Sequence, residues 1–413
     1  MKLMKQHIFS VAIILLVSML VYAASLKNGF VFDDEITIVN NTLVKDLNNL
    51  PLLIDKKAYF QRSGEASYRP VVTFTYFMDY ALYGMSPWGY HLTNVLLHAV
   101  NGVLLYIFLT LLLELSQSRS LFPKNSFLNN LSLIATLLFI SQPILSEAVN
   151  SISYREDLLA FFFYTAALNI YVLISRRSQT LAANLTYIVS CFFYFLALLS
   201  KEMALTLPII IFCYEWGYMK KKKVGEILSR YMFGYIIVSL FYVYLRFVYF
   251  SNPAADDSYM GFIERIYTLP VRLLIFIKLM VFPVSLSADY NLVPGIESGV
   301  FIAISFVAVV FFYLAVFKIA KRLESQEIRF GGLFFIISLI PVLNIIPIYN
   351  PVAERYLYLP AAGFAIALGG YLNKTEVFKR SSYPGYILAI FVLLCYLPVT
   401  QKRIHIWRDD YSL

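Results

Sequence analysis

I-F-S-V-A-I-I-L-L-V-S-M-L-V-Y-A-A-S-L at 8–26 runs straight into K-N-G-F-V-F-D-D-E at 27–35. The first stretch carries no charge and is close to the ~20 residues that cross the hydrocarbon core of a bilayer. The second places three carboxylates, Asp33, Asp34 and Glu35, at the mouth of that span. Acids at that depth lose hydration, which costs free energy unless they are paired or used. Taken alone they read as the start of a solvated loop. A catalytic base at the membrane surface is the sharper reading, and the rest of the chain favours it.

Apolar runs of similar length recur through all 413 residues, of which 60% are hydrophobic and 14% charged. A soluble chain carries about 25% charge, and mean hydropathy here is +0.69. The chain therefore reads as an all-α polytopic membrane protein. Spans are expected at 8–26, 90–113, 131–145, 158–174, 181–199, 204–219, 231–250, 300–317, 331–349, 357–371 and 386–399, about eleven in all. The stretch 71–83 is too short and interrupted to cross and is expected to lie along the interface. The stretch 262–286 carries Arg265, Arg272 and Lys278 with Pro270 and Pro283. The two arginines stand two helical turns apart, on one face, which suits an interfacial or re-entrant helix.

Leaving that piece out of the count gathers Lys2, Lys5, Arg176, Arg177, Lys220 to Lys223, Lys318, Lys321, Arg322, Arg329, Lys379 and Arg380 on one side. Short basic loops stay in the cytoplasm. The N-terminus is thus expected inside, and the C-terminus and acid-rich loops outside, facing a periplasm or lumen. A bacterial inner membrane fits so compact a chain. The expected layout is one transmembrane domain, 1–413, with outer loops at 27–88 and 251–298 and an outer tail at 400–413. Lys2 and Lys5 before a run ending V-Y-A-A also fit a cleaved leader, but the run is long enough to stay as a span. The +9 charge follows from this topology rather than from nucleic-acid binding. Cys191, Cys213 and Cys395 fall in apolar runs at unrelated spacings, with neither a metal pattern nor a disulfide framework. His91 and His98 share a helix face and read as packing residues.

The outer loops hold the unusual polar clusters: S-Y-R-P at 67–70, Q-P-I-L-S-E-A-V at 142–149, Y-R-E-D at 154–157, S-K-E at 200–202, F-P-V-S-L-S-A-D-Y at 282–290 and V-A-E-R-Y-L-Y-L-P at 352–360. Each alone is an ordinary surface turn. Together they set Asp33, Asp34, Glu147, Arg155, Lys201, Asp289 and Arg355 at one level of the bilayer, with Arg69 nearby. Acids and bases gathered beside apolar helices suit a substrate that is part lipid and part polar. The cations would grip a phosphate, arginine bidentately, and an acid would take a proton from an attacking hydroxyl.

In order along the chain, N-G-F-V-F-D-D-E, S-Y-R-P, G-Y-H-L-T-N-V-L-L-H (89–98), the turn from Pro143 to Glu147, and A-E-R-Y-L-Y-L-P resemble the membrane half of the transmembrane-and-tetratricopeptide-repeat O-mannosyltransferases. These are GT-C glycosyltransferases. The resemblance implies a GT-C-like bundle with a long first outer loop. It also implies inverting transfer of a sugar from a polyprenyl-phosphate donor to an acceptor hydroxyl on a protein or glycan. A carboxylate of the first outer loop would be the base, Asp33 or Asp34, with Asp34 slightly favoured. Arg355 would be a phosphate ligand, and such donors do not call for a metal. The sequence departs from the family at Gln142 and Leu145, where histidines are common, and at Tyr154, where glycine is usual. No repeat of ~34 residues is visible, so acceptor recognition by repeats is expected to be missing or supplied by a separate protein. A transporter or flippase of a lipid-linked glycan is the main alternative, but it predicts internal repeats and charge at the midplane. A non-catalytic membrane scaffold is the lesser one.

Overall fold

The computed structural model describes every residue except 1, 66, 118–126, 176–180, 218–222, 251–260, 291–297, 349 and 376–382. Among the described residues there is no strand. The basic positions 176, 177, 220–222, 379 and 380 lie outside the described residues, as do parts of the loop expected at 251–298.

Each apolar run expected to span is met by a helix. In chain order these are α1 (Lys2–Tyr22), then the loop helix α2 (Pro70–Tyr83), α3 (Pro87–Gln117), α4 (Phe127–Ile140), α5 (Arg155–Ser175) and α6 (Leu181–Ser200). They continue as α7 (Leu207–Gly217), α8 (Phe233–Tyr244), α9 (Leu269–Val281), α10 (Gly299–Arg322), α11 (Gln326–Leu339), α12 (Pro360–Lys374) and α13 (Tyr383–Ile406). Five helices among the described residues are long and apolar enough to cross a membrane, and a sixth results if the bent pair Leu131–Ile140 and Pro143–Asn150 is one span. Prolines bound or bend several of the others. Pro143 follows a 51° bend, Ile340–Pro341 ends α11 in a tight turn, and Pro360 opens α12. A proline lacks the amide that would continue the ladder, so it starts or stops helices.

Burial sorts the helices by role. In α5 most residues from Arg155 to Val172 are buried, so it runs through the centre. In α10 only Ser305, Val309 and Ala320 are buried while Phe301, Ile304, Phe306, Phe311, Leu314 and Phe317 are exposed, the signature of a helix turned to lipid. Helices α11 and α12 cross at contact distance. A Cβ on Gly363 would meet the Phe335 amide nitrogen at 2.5 Å, and one on Gly331 would meet the Gly363 carbonyl at 2.5 Å. Only glycine permits that approach, which in a bilayer replaces the hydrophobic drive as the source of packing.

The first loop is folded rather than loose. It contains a π-turn at Glu35–Val39, a 3-10 stretch at Leu47–Ile54 and a short helix at Lys56–Arg62. With α2 they enclose a second core that includes Ile38, Leu43, Tyr59, Tyr68, Tyr76 and Phe77. The stretch expected to lie flat at 71–83 is thus a helix that buries Val72, Thr73, Tyr76, Phe77 and Asp79 against this loop core.

The stretch 262–286 breaks at Thr268 into Phe262–Tyr267 and α9. Arg265 and Arg272 do share a face, but that face is buried and only Lys278 of the three cations is exposed. Arg272 donates from Nε to the Leu343 carbonyl at 3.0 Å and from Nη1 to the Thr268 hydroxyl at 2.9 Å, and its Nη2 binds the Arg265 carbonyl. Spacing fixed the face. Two of the acceptors that hold it inward are local, and the third, the Leu343 carbonyl, comes from the unwound end of α11, far away in sequence.

Candidate active site

The end of α1, the turn 151–154 that leads into α5 and the end of α13 meet at the acid loop. The loop reverses at Phe32, whose φ of 55° is a left-handed conformation that a bulky side chain enters only at a cost. Asp33 and Asp34 follow directly, and their surroundings differ.

Asp34 is fully buried. Its Oδ1 accepts from the Ser153 amide at 2.6 Å and the Ser151 hydroxyl at 3.4 Å. Its Oδ2 accepts from the amides of Val31 at 3.2 Å and Ile152 at 3.4 Å. Both oxygens are therefore committed to the chain. Burial pushes this carboxyl up to about 6, against the opposing pull of the amides of Ser153, Val31 and Ile152.

Asp33 is half-buried, and among the described residues its carboxylate takes one partner, the Tyr154 hydroxyl at 3.0 Å. The Tyr154 ring lies under the Arg355 guanidinium, 3.9 Å from centroid to Cζ. One tyrosine thus connects the accessible carboxylate to a cation. Burial, with Arg355 opposing, raises the Tyr154 phenol far above its ordinary range, so it stays a neutral donor to Asp33.

Arg355 is held by Glu147, which sits past the Pro143 bend on the one-turn helix Ser146–Asn150. Glu147 is fully buried and accepts both Arg355 Nη1 at 2.5 Å and the Arg355 amide at 3.0 Å. Among the described residues Nη1 is the only guanidinium nitrogen of Arg355 so engaged, leaving Nε and Nη2 to donate elsewhere. Beside it, Glu354 accepts Arg403 Nη2 at 2.9 Å, the Tyr290 hydroxyl at 2.8 Å and the Ser287 amide at 2.7 Å.

The remaining expected residues are used differently. Lys201 lies 2.6 Å from Asp157 and 2.9 Å from Glu156, with its Nζ 5.4 Å from the Tyr356 ring. Arg69 pairs with Glu156 and, at 3.2 Å, with Glu202. Both cations stand beside the site, but carboxylates already occupy them. Arg155, expected to bind substrate, is sealed in the core: Nη1 is 2.6 Å from Asp79, Nε is 2.7 Å from Asn94 Oδ1, and Nη2 is 3.0 Å from the Tyr90 carbonyl. Burial and these acceptors tie it to the surrounding helices. Asp289 is placed differently. It is exposed and offers its carbonyl to Ser287 at 2.6 Å, while its neighbour Tyr290 reaches Glu354. His98 packs as expected, bound to the Tyr358 hydroxyl at 2.7 Å and the Ile140 carbonyl at 3.0 Å.

Residues 151–153 and Arg403 were not singled out from sequence, and Glu354 stood only within its motif. Tyr154 had the one available signal, as a ring where relatives of the suggested family carry glycine. Among the described residues no three His, Cys, Asp or Glu side chains converge as a metal site would need.

Fold and site define a class: an integral, all-helical membrane protein with a buried acid–arginine centre where its helix ends meet. The sequence then resembles, almost throughout, protein O-mannosyl-transferases. A protein O-mannosyl-transferase of Caenorhabditis elegans is 29% identical over 99% of this chain and 57% of its own length. TMTC3 of Homo sapiens is 28% identical over 95% of this chain and 45% of its own. TMTC1 of Homo sapiens is 26% identical over 96% and 49%. The chain spans about half the length of the curated relatives it matches. No family model matches. Among solved structures, ArnT from Cupriavidus metallidurans overlays with a TM-score of 0.48 at 16% identity in its apo state, over 96% of this chain and 64% of that one. Its undecaprenyl phosphate complex gives 0.46 at 13% identity, over 97% and 70%.

Proposed function

We propose that this chain is a GT-C-like inverting glycosyltransferase that moves a sugar, mannose by analogy with its relatives' names, from a polyprenyl phosphate to an acceptor hydroxyl. The observation that carries this reading is the placement of a half-exposed carboxylate, Asp33, and an arginine with unspent donors, Arg355, on either side of Tyr154.

The reaction is one displacement. The acceptor oxygen forms a bond to the anomeric carbon as the bond from that carbon to the phosphate oxygen breaks. Asp33 takes the hydroxyl proton, which makes the oxygen a better nucleophile as the bond forms. The leaving polyprenyl phosphate gains negative charge, which Nε and Nη2 of Arg355 stabilise. Glu147 keeps the guanidinium in place. Asp34, its oxygens already committed, fixes the loop rather than taking the proton, which reverses the slight preference drawn from sequence.

A lipid donor also needs an apolar berth. One cavity of about 180 Å³ is lined by Leu138, Phe139, Gln142, Met280, Phe364 and Tyr396. A second of about 230 Å³ shares Met280 and Phe364 and continues to Phe312 and Phe335. Gln142 lies on the same bent segment as Glu147, which ties the lining of the first cavity to the carboxylate that holds Arg355. The basic loops read from sequence put the site on the non-cytoplasmic face, a periplasm in a bacterial host. Acceptors would be a protein or a glycan, presented by a separate repeat protein or by further chain.

Arg355→Lys keeps the charge and loses the planar fork. Transfer from a mannosyl-phosphate polyprenol is expected to fall about 10- to 100-fold, with melting close to wild type. Wild-type transfer by Arg355→Ala would remove the proposed phosphate ligand.

A further inference from the structure

We infer that residues 404–410 form a strap that holds the acid loop in its working shape, with Trp407 a positioning residue for the Asp33–Tyr154 pair. This rests on the reading of Asp33 as the base.

The strap meets the loop at three residues. Asn28 donates from Nδ2 to the carbonyls of Ile404 at 3.0 Å and Trp407 at 3.1 Å. The Gly29 amide donates to the Arg408 carbonyl at 2.9 Å. The Phe32 amide donates to Asp410 Oδ1 at 2.9 Å. Phe32 is the residue in the left-handed conformation, so the strap grips the loop at its strained point. A strained residue persists only where its surroundings over-determine it, and an unstrapped loop would relax there, one residue before Asp33.

Trp407 is fully buried and packs with Val31 and Tyr154. Its ring stands edge-on to Tyr154, centroids 6.2 Å apart at 81°. The indole N–H has no hydrogen-bond partner among the described residues, so shape rather than polarity holds this side chain. Tyr154 thus touches both Trp407 and Arg355 with its hydroxyl on Asp33. One turn back on α13, Arg403 holds Glu354, the residue before Arg355. The same helix end thus grips both halves of the site, the base through its loop and the cation through its neighbour. That sets their separation. The strap also explains the opening letters of N-G-F-V-F-D-D-E, which no step of the chemistry uses.

The test uses the full chain in nanodiscs, with a mannosyl-phosphate polyprenol as donor and a threonine-rich peptide as acceptor. Two readouts run together: kcat and donor KM, and amide hydrogen exchange over 28–34. Asn28→Ala and Asp410→Ala should speed exchange and lower kcat about tenfold, with donor KM within about twofold of wild type. Trp407→Ala should lower kcat about 100-fold, and Trp407→Phe, which keeps the packing, should restore most of it. Lys318→Ala, exposed on α10 and outside the strap and the acid loop, is the unchanged control. Should Trp407→Ala fail to fold, Asn28→Ala and Asp410→Ala decide. Wild-type exchange in those two variants, or faster exchange with unchanged kcat, overturns the strap. Faster exchange in a chain whose wild type transfers no sugar supports the strap and counts instead against the transferase reading.

Discussion

Arg155 and Arg355 come from similar sequence: each follows a loop, each stands in the first turn of a helical segment, and each has tyrosine and acid beside it. Their fates differ. Arg155 is fully buried and spends its nitrogens on Asp79, Asn94, Thr75 and the Tyr90 carbonyl, with the Tyr76 ring 5.0 Å away. Arg355 engages one nitrogen on Glu147 and lies over Tyr154 beside a half-exposed aspartate. The lesson is that a charged residue near a membrane surface is assigned by its unspent donors, not by its depth or its motif. A saturated guanidinium is a bolt. An unsaturated one is a hand.

The largest effect this contrast predicts is on stability at Arg155. Arg155→Met strands the buried Asp79 carboxylate, a loss of about 3–5 kcal/mol. Thermal unfolding in detergent should show a much weakened or unfolded protein, whereas Arg355→Lys should melt near wild type. Equal melting of the two variants would erase the distinction.

A smaller effect concerns Asp34. Its carboxyl is raised to about 6 from an ordinary 3.8, so the native state favours the protonated form. The associated stability is present below about pH 4 and is lost as pH rises through about 6. Unfolding midpoints across that window should fall with rising pH in the wild type and fall less in Asp34→Asn. An identical slope in both would show that Asp34 titrates as an ordinary carboxyl.

Much of this was legible in the chain itself. The apolar runs gave the helices in order because a bilayer forces each crossing segment to satisfy its own backbone. The acid pair, Glu147 and Arg355 stood out because charge beside apolar helices needs a partner. What was not legible depended on partners distant in sequence. Asp79, Asn94 and the Tyr90 carbonyl saturate Arg155, the Leu343 carbonyl draws Arg272 inward, and Ser151 to Ser153 claim both oxygens of Asp34. The choice between Asp33 and Asp34 could not come from their shared neighbourhood in sequence. Both face the turn at 151–154, but Asp34 is claimed by Ser151, Ile152 and Ser153 while Asp33 takes only the Tyr154 hydroxyl.

That choice is tested most directly by single-turnover sugar transfer from a mannosyl-phosphate polyprenol by Asp33→Asn. The rate should fall about 10²- to 10⁴-fold while the melting midpoint stays near wild type. Wild-type transfer by Asp33→Asn, or a comparable loss confined to a fully stable Asp34→Asn, would contradict the assignment of Asp33 as the base.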